Sequence, residues 1–315
     1  MKIVSCFSSL KELAPLAEAG ADEFYTAVEG LPAFSVGFLP DRDLAPAIKK
    51  AHALGKKIAL AVNAIHAPAT DKRLAAIEKR IRALDKLGMD AFIISNPYLL
   101  ALFSGRGKRL RAELHLSSVQ PVFNSLGAAF FTRFGVSRLI LPNQLSPHEA
   151  RKILALCGAK GIETEIFDYR FFGCAYINGR CHMHKPDHYT LKSAILEGNL
   201  CRINAKPGGL VKLGTLDLPG RAKELPALVN RLENRFTCGG SPRLSNAAAF
   251  FDFFISGAHY LKYGTRHDRP EVKVKKVGEL RAMLSLAEKL SGSMPKAEAR
   301  RAFVKELSRW NGGGF

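Results

Sequence analysis

The sequence predicts an α/β fold in which eight parallel strands alternate with helices and close into a barrel. Short continuous apolar runs recur along the chain, as expected for strands that are buried on both faces. Amphipathic stretches of helical length stand between them. No Gly-x-Gly-x-x-Gly turn follows the first strand, which weakens a dinucleotide-binding open sheet. The chain has 315 residues, 47% of them hydrophobic, and can bury the core of a TIM-like (β/α)8 barrel. An open doubly wound sheet is the second candidate.

Each predicted element follows from its local pattern. Helices are predicted where apolar residues recur every three or four positions and a glycine ends the run, as Gly20 and Gly88 do. The predicted helices are 10–19, 43–54, 71–87, 146–156 and 247–255. The predicted strands are 2–6, 23–26, 57–63, 91–95, 112–117, 138–141, 162–167 and 259–263.

Four of the six cysteines fall in one stretch after the seventh predicted strand, at about 169–240, where Pro and Gly are frequent. We interpret this stretch as a loop inserted into a single barrel domain of residues 1–315. Four thiolates that converge from a loop are the usual ligands of an iron–sulfur cluster. Zinc is a competing interpretation, although the cysteines do not form the close pairs of structural zinc sites. Disulfides and unrelated core thiols are also compatible with the spacing. The predicted ligands are Cys174, Cys181, Cys201 and Cys238.

The remaining two cysteines are interpreted separately. Cys157 lies within a predicted helix and is expected to be a core thiol. Cys6 ends the first predicted strand, so it could face the same end of the barrel as the cysteine loop. It is therefore the substitute for Cys238 as the fourth ligand.

Polar residues stand at the carboxyl ends of the predicted strands, where barrels carry their functional groups. Any one of these residues could equally be a helix cap or a turn residue. Together they predict a polar mouth at this end of the barrel. Two of them, Lys262 and Arg266, can neutralise acidic groups. The predicted substrate-binding residues are Asn63, Gln120, Asn143, Lys262 and Arg266, and other polar residues at these ends include Ser95, Ser117 and Asp168.

The net charge of +19 indicates a polyanionic partner, for which RNA is the first candidate. Two basic stretches contribute to it, at 106–111 and 273–276. No short RNA-binding signature accompanies the charge. No apolar run reaches the length of a membrane helix, and the first residues enter a strand without a signal-peptide pattern. A cytoplasmic location without a membrane span is therefore expected.

Several segments of the chain resemble peptidase family U32, the collagenase-like proteins. The Cys-x6-Cys segment is the most specific of them, and the others are individually weak. Gly264 stands where the family's Lys-Ile-Glu-Gly-Arg block has a glutamate. The segments that resemble the family are 13–25, which ends in Ala19-Gly20-Ala21-Asp22-Glu23-Phe24-Tyr25, then Val62-Asn63, His115-Leu116-Ser117-Ser118-Val119-Gln120, Glu165-Ile166-Phe167, 174–181, Cys201-Arg202, 257–266 and, faintly, 308–315.

The resemblance implies a function that the family name does not state. It implies a 4Fe–4S protein on a TIM-like barrel that acts in oxygen-independent hydroxylation, with prephenate as an oxygen donor. The substrate would be an RNA base or a quinone-type small molecule, and the quinone-pathway members work as hetero-oligomers with a paralogue. A U32 peptidase and a non-catalytic cluster-binding partner protein are the competing functions. The sequence contains neither His-Glu-x-x-His nor Gly-x-Ser-x-Gly, which disfavours a peptidase.

Overall fold

Eight parallel strands form a closed barrel in sequence order in the computed structural model. The structure describes residues 1–34, 38–64, 70–105, 109–168, 242–264 and 268–312. The first strand pairs with the second and the eighth, which confirms the (β/α)8 barrel and excludes the open sheet. The strands are β1 (Lys2–Cys6), β2 (Glu23–Thr26), β3 (Lys57–Val62), β4 (Ala91–Ile94), β5 (Glu113–Leu116), β6 (Arg138–Ile140), β7 (Glu163–Phe167) and β8 (Tyr260–Tyr263).

Helices follow the strands wherever the structure describes the connection. The five predicted helices are confirmed, with ends that differ by a few residues, and the helix at Leu10 begins with a short 3-10 turn. The sequence did not predict four further helices. The helices are α1 (Leu13–Glu18), α2 (Asp41–Ala53), α3 (Asp71–Lys86), α4 (Pro97–Ser104), α5 (Ser125–Thr132), α6 (Pro147–Ala159), α7 (Pro242–Ile255), α8 (Pro270–Ser293) and α9 (Lys296–Gly312). Among the described helices, none is both long and apolar enough to cross a bilayer.

The outer faces of the strands form the hydrophobic core. Side chains alternate along each strand, so every second residue points outward to the helices. Ile3, Phe24 and Phe92 are fully buried at such outward positions. Burial of side chains of this size contributes about 1.5–3 kcal/mol each and holds the helices on the barrel.

The inner faces of the strands are of a different character. Arg138 on β6 bonds Glu23 on β2 across the barrel, and these positions therefore point inward. Residues that pair in register on neighbouring strands point to the same face of the sheet. On β3 and β4 the inward positions include the small residues Ala59 and Ala91. Most barrels fill this space with bulky branched apolar residues. Here several of the inward positions carry charged side chains instead, among them Arg138, Glu165 and Lys262.

Helix α8 follows the last strand and packs against β1 and α1. Lys273 on α8 is fully buried, and its Nζ lies 2.6 Å from Oε2 of Glu12. Arg281, further along α8, donates to the carbonyl oxygen of Gly20 and contacts Asp22. Gly20 has φ of 107°, and a Cβ there would lie 2.9 Å from Nε of Arg281. These contacts fix α8 against the loops on both sides of α1.

Helix α9 lies outside the eight strand–helix units and packs on α7. Phe250 and Phe251 on α7 contact Phe303 on α9, with ring centroids 5.8 and 5.2 Å apart. Arg300 on α9 forms a two-pronged ion pair with Asp252 on α7. These contacts hold α9 against α7, the helix that precedes β8.

Candidate functional site

The helices begin at the carboxyl ends of the strands, and polar residues cap them there. The side-chain oxygens of Asn96 and Asn124 accept hydrogen bonds from the first turns of α4 and α5. Ser146 and Glu149 form a reciprocal capping box at the start of α6. These loops and helix starts are called the carboxyl-end rim below. Several polar residues of the rim therefore shape the backbone.

Asn63 joins β3 to β5 over the end of β4. Its Nδ2 donates to Oγ of Ser117 at 3.0 Å, and its Oδ1 accepts from the backbone N–H of Phe34 at 2.9 Å. The backbone N–H of Val119 also donates to Ser117. The predicted substrate-binding residue Asn63 thus lies at the rim, and it supports the loops there.

Three buried polar atoms in the described part of the chain have no hydrogen-bond partner. They are Oγ of Ser95, Nδ1 of His115 and Nδ2 of Asn143, which follow or lie on the neighbouring strands β4, β5 and β6. Ser95 is 3% exposed and His115 is 2% exposed. A buried polar atom without a partner costs about 1–3 kcal/mol, so such atoms commonly bind a ligand or water.

The barrel interior contains an ion cluster, formed by Arg138 and Lys262 with Glu23, Glu163 and Glu165. Arg138 is 1% exposed and contacts all three carboxylates at 2.8–3.1 Å. Burial opposes its charge, but Glu165 and Glu23 outweigh this and raise the pKa of Arg138. The guanidinium also lies 3.5 Å from the ring centroid of Tyr260. The cluster fixes β2, β6, β7 and β8 relative to one another.

Lys262 extends this ion cluster toward the rim. Its Nζ lies 2.7 Å from Oε1 of Glu165 and 3.8 Å from the ring centroid of Tyr25. Burial opposes ionisation of Glu165, yet Lys262 and Arg138 together lower its pKa. The ammonium of Lys262 is thus buried and engaged inside the barrel.

His115 is held by a carboxylate at the amino end of its own strand. Its Nε2 lies 3.1 Å from Oε2 of Glu113, whose other oxygen accepts from Lys57 at 2.7 Å. Burial lowers the pKa of His115, because the charged imidazole would lose its hydration. A neutral ring that donates from Nε2 to Glu113 presents the lone pair of Nδ1 to its surroundings.

Residues predicted for the site fall into two groups. Asn63, Gln120, Asn143 and Lys262 lie at or next to the carboxyl ends of their strands, so the structure brings them to one end of the barrel. Their predicted contacts with substrate remain predictions. The other predicted residues lie outside the described residues, as does the loop at about 169–240: Arg266, Cys174, Cys181, Cys201 and Cys238.

The two remaining cysteines are buried. Cys157 lies on α6, where burial raises the pKa of its thiol to about 11 and so disfavours the thiolate that metals require. Cys6 is fully buried at the carboxyl end of β1. The described residues contain no group of three or more His, Cys, Asp or Glu that could hold a metal ion. The cluster ligands therefore stay a prediction.

The two described segments on either side of residues 169–241 both lie toward the rim. Asp168 directly follows β7, and its backbone N–H donates to the carbonyl oxygen of Lys262. Helix α7 ends close to the start of β8 and runs back along the barrel, so its first residue, Pro242, lies toward the carboxyl ends. The chain between these two segments, which carries the predicted cluster ligands, therefore leaves and re-enters the described barrel at the end where Ser95 and Asn143 lie.

Sequence reasoning missed His115, Glu165 and Arg138 as residues of the barrel interior. Each lies within a short strand whose other residues are mostly apolar. A charged residue at the inward position of such a strand was the signal that could have identified them, since buried charges need partners.

A closed (β/α)8 barrel with a polar carboxyl end defines a TIM-barrel protein. The family model named Peptidase family U32 matches residues 8–194. The match covers more than half of the chain, and this protein belongs to peptidase family U32.

Curated relatives are about 30% identical to this chain over the part that aligns. The tRNA hydroxylation protein P of Helicobacter pylori strain J99 is 28% identical over 186 residues, covering 58% of this chain and 42% of that protein. The tRNA hydroxylation protein P of Escherichia coli K12 is 30% identical over 184 residues, covering 57% and 38%. This chain thus spans about two fifths of the length of these relatives. The solved structure of the U32 peptidase Mk0906 gives a TM-score of 0.46 at 14% identity, covering 53% of this chain and 68% of that chain.

Proposed function

We propose that this protein takes part in the hydroxylation of a tRNA base, with the base bound at the carboxyl-end rim. The observation that carries the proposal is the set of unpaired polar atoms of Ser95, His115 and Asn143, in a chain similar to proteins named tRNA hydroxylation protein P. A base edge offers both donors and acceptors, so it can satisfy a hydroxyl, an amide N–H and an imidazole nitrogen.

We further propose a 4Fe–4S cluster held by Cys174, Cys181, Cys201 and Cys238, with Cys6 as the substitute for the last. The donor set supports the proposal, because four thiolates suit this cluster. When bound, the cluster supplies one-electron redox chemistry. The described part of the protein contributes the rigid end of the barrel from which the cysteine loop begins, at Asp168.

Each described residue would have a separate task. Oγ of Ser95 and Nδ2 of Asn143 would contact the polar edge of the base. Asn63 would hold the loops after β3 and β5 in place through Ser117. His115, neutral and deeper in the barrel, would accept a hydrogen bond at Nδ1, which would fix the orientation of a donor group.

An acidic oxygen donor such as prephenate would need cationic contacts of its own. Lys262 already contacts Glu165, so the predicted role of carboxylate binding rests mainly on Arg266. A fork of guanidinium donors matches a carboxylate well. Loss of donor binding in Arg266→Met, with RNA binding retained, would agree with this assignment.

The basic residues distribute unevenly over the barrel. Arg109 and Arg111, from the stretch at 106–111, are exposed between α4 and β5 and thus lie at the amino end of the barrel. In the second basic stretch, Lys273 is buried on Glu12 and Lys276 pairs with Asp268. The described residues of the first stretch therefore lie away from the rim, and in the second stretch Lys275 is exposed while carboxylates engage Lys273 and Lys276.

Cations at the starts of two other helices are exposed at the rim. The first turns of α2 and α3 expose Arg42, Lys72 and Arg73 at the rim. The segment 169–241 adds eleven Lys and Arg against five Asp and Glu. Phosphate contacts from these regions would orient an RNA over the barrel without reading its sequence.

The RNA assignment can be tested by binding. Affinity for tRNA should fall with salt by a log–log slope of roughly −0.7 for each phosphate contacted on a single strand. A quinone-type substrate would instead bind with little salt dependence, in an apolar site. Salt-insensitive or absent tRNA binding, together with cleavage of a peptide or tight binding of a paralogous chain, would favour a peptidase or a partner protein.

A further inference from the structure

Two aromatic side chains are exposed on neighbouring loops of the rim. Tyr98 is 54% exposed and Phe123 is 42% exposed, whereas Phe103 and Phe131 of the same two helical segments are buried. Tyr98 lies in the first turn of α4, directly after β4. Phe123 precedes α5 in the loop after β5, the strand next to β4. Exposed large aromatic residues on adjacent loops are unusual enough to indicate a binding surface.

Both aromatic positions have a well-fixed backbone. The backbone N–H of Tyr98 donates to Oδ1 of Asn96 at 2.9 Å. Phe123 stands between the buried Val122 and the cap residue Asn124, whose Oδ1 accepts from Gly127 at 2.8 Å. A rigid aromatic ring loses little conformational entropy when it binds a flat partner.

We propose that Tyr98 and Phe123 stack against unpaired bases of the RNA, on either side of the base that enters the barrel. The inference rests on the proposed function. Unpaired RNA bases are commonly recognised by stacking on aromatic rings. The loop that contains Phe123 also contains Gln120, and Ser95 precedes α4, the helix of Tyr98, by two residues. Tyr98 therefore lies three residues after Ser95, and Phe123 lies in the loop that follows the strand of His115.

Charge favours an RNA over a second copy of this chain as the occupant. Each copy carries a net charge of +19, so two copies repel one another, whereas a polyanion is attracted. Leu126 and Phe130 extend the apolar surface down the outer face of α5, with Leu126 80% exposed. Leu126 has no aromatic face, so it distinguishes stacking from general apolar contact.

The experiment measures binding of a short fluorescent single-stranded RNA to the full anaerobically purified protein, over a series of salt concentrations. Tyr98→Ala and Phe123→Ala should each weaken binding by about 5- to 30-fold, in the range expected for loss of one base stack. The salt slope should stay unchanged, because no phosphate contact is lost. Tyr98→Phe and Leu126→Ala should bind as the unmodified protein does. An RNA with abasic sites should abolish the difference between Tyr98→Ala and the unmodified protein.

The outcomes separate this inference from the proposed function. If the protein binds RNA with a clear salt slope but both alanine variants bind equally well, the stacking inference is wrong and the RNA assignment stands. If the protein binds no RNA at any salt concentration, the proposed function itself fails. If the unmodified protein forms a concentration-dependent dimer that Phe123→Ala and Leu126→Ala both dissociate without changing RNA affinity, the exposed apolar surface is a contact between two copies. That result would overturn the stacking inference.

Discussion

Replacement of Arg138 by methionine tests whether the interior ion cluster holds the barrel together. Arg138 is 1% exposed and contacts Glu23, Glu163 and Glu165. The substitution keeps most of the side-chain volume but leaves Glu23 facing an apolar group. Removal of one partner from a buried ion pair costs about 3–5 kcal/mol. At about 2 °C per kcal/mol for a large domain, the expected loss is roughly 6–10 °C in Tm.

A second substitution separates lost pairing from lost packing. Glu23→Gln in the Arg138→Met background removes the unpaired buried charge, so the double variant should regain at least about 1 kcal/mol. Arg151→Met, at an exposed position on α6, is the matched control and should change stability by less than about 0.5 kcal/mol. Thermal unfolding followed by circular dichroism, with iron content measured in parallel, provides the readout. An Arg138→Met Tm within about 2 °C of the unmodified protein, or a double variant less stable than the single one, would refute the reasoning.

Three further predictions concern the pH dependence of stability, the proposed iron–sulfur cluster and the buried lysine of α8. Burial lowers the pKa of His115 from 6.5, so the unfolded chain binds more protons than the folded one, and the free energy of unfolding falls as pH drops below about 6.5, by up to about 1.4 kcal/mol per pH unit. In urea titrations between pH 7 and 5, the free energy of unfolding of His115→Gln should depend less on pH than that of the unmodified protein. An equal pH dependence in the two proteins would contradict this. Anaerobically purified Cys157→Ser should retain about four irons per chain and Cys174→Ser should lose them, whereas stoichiometric zinc in a colourless protein would exclude the cluster. Lys273→Met should cost about 3 kcal/mol or more because a buried carboxylate loses its cation, while the exposed neighbour Lys275→Met should be near neutral, as thermal unfolding will show.

Much of the fold could be predicted because the strands carry a strong local signal. All eight predicted strands occur in the barrel, with ends that differ by at most one residue. Parallel strands buried on both faces read as apolar runs, and glycines such as Gly20 mark where helices end. The sequence therefore contained the alternation of strand and helix on which the barrel depends.

Two of the four missed helices, α4 and α5, lack that signal. Helices α4 and α5 have only eight residues each and are apolar over much of their surface, so they lack the periodicity that distinguishes a helix from a short buried strand. Their starting points are set by Asn96 and Asn124, whose capping role becomes clear only when the backbone is known. The amphipathic helices α8 and α9 were not assigned, although their periodicity would have allowed it.

The strand ends that carry the candidate site could be predicted, whereas the contacts of their side chains could not. The rule that barrels function at the carboxyl ends of strands correctly brings Asn63 and Asn143 to one end. It does not show that Asn63 is bonded to Ser117 or that Lys262 contacts Glu165, since both contacts join strands distant in sequence. Cross-barrel pairing depends on register and tilt, which no local pattern encodes.

The hydroxylation itself is tested most directly by mass spectrometry of tRNA nucleosides from cells with and without this protein. We predict a nucleoside that is one oxygen atom heavier than its parent in cells that contain the protein, and its loss when the gene is deleted. The unmodified protein should restore the nucleoside and Cys174→Ser should not, while Cys157→Ser serves as the matched control and should restore it. An identical tRNA nucleoside profile in the two strains, with the protein expressed and folded in the strain that carries the gene, would contradict the proposed function.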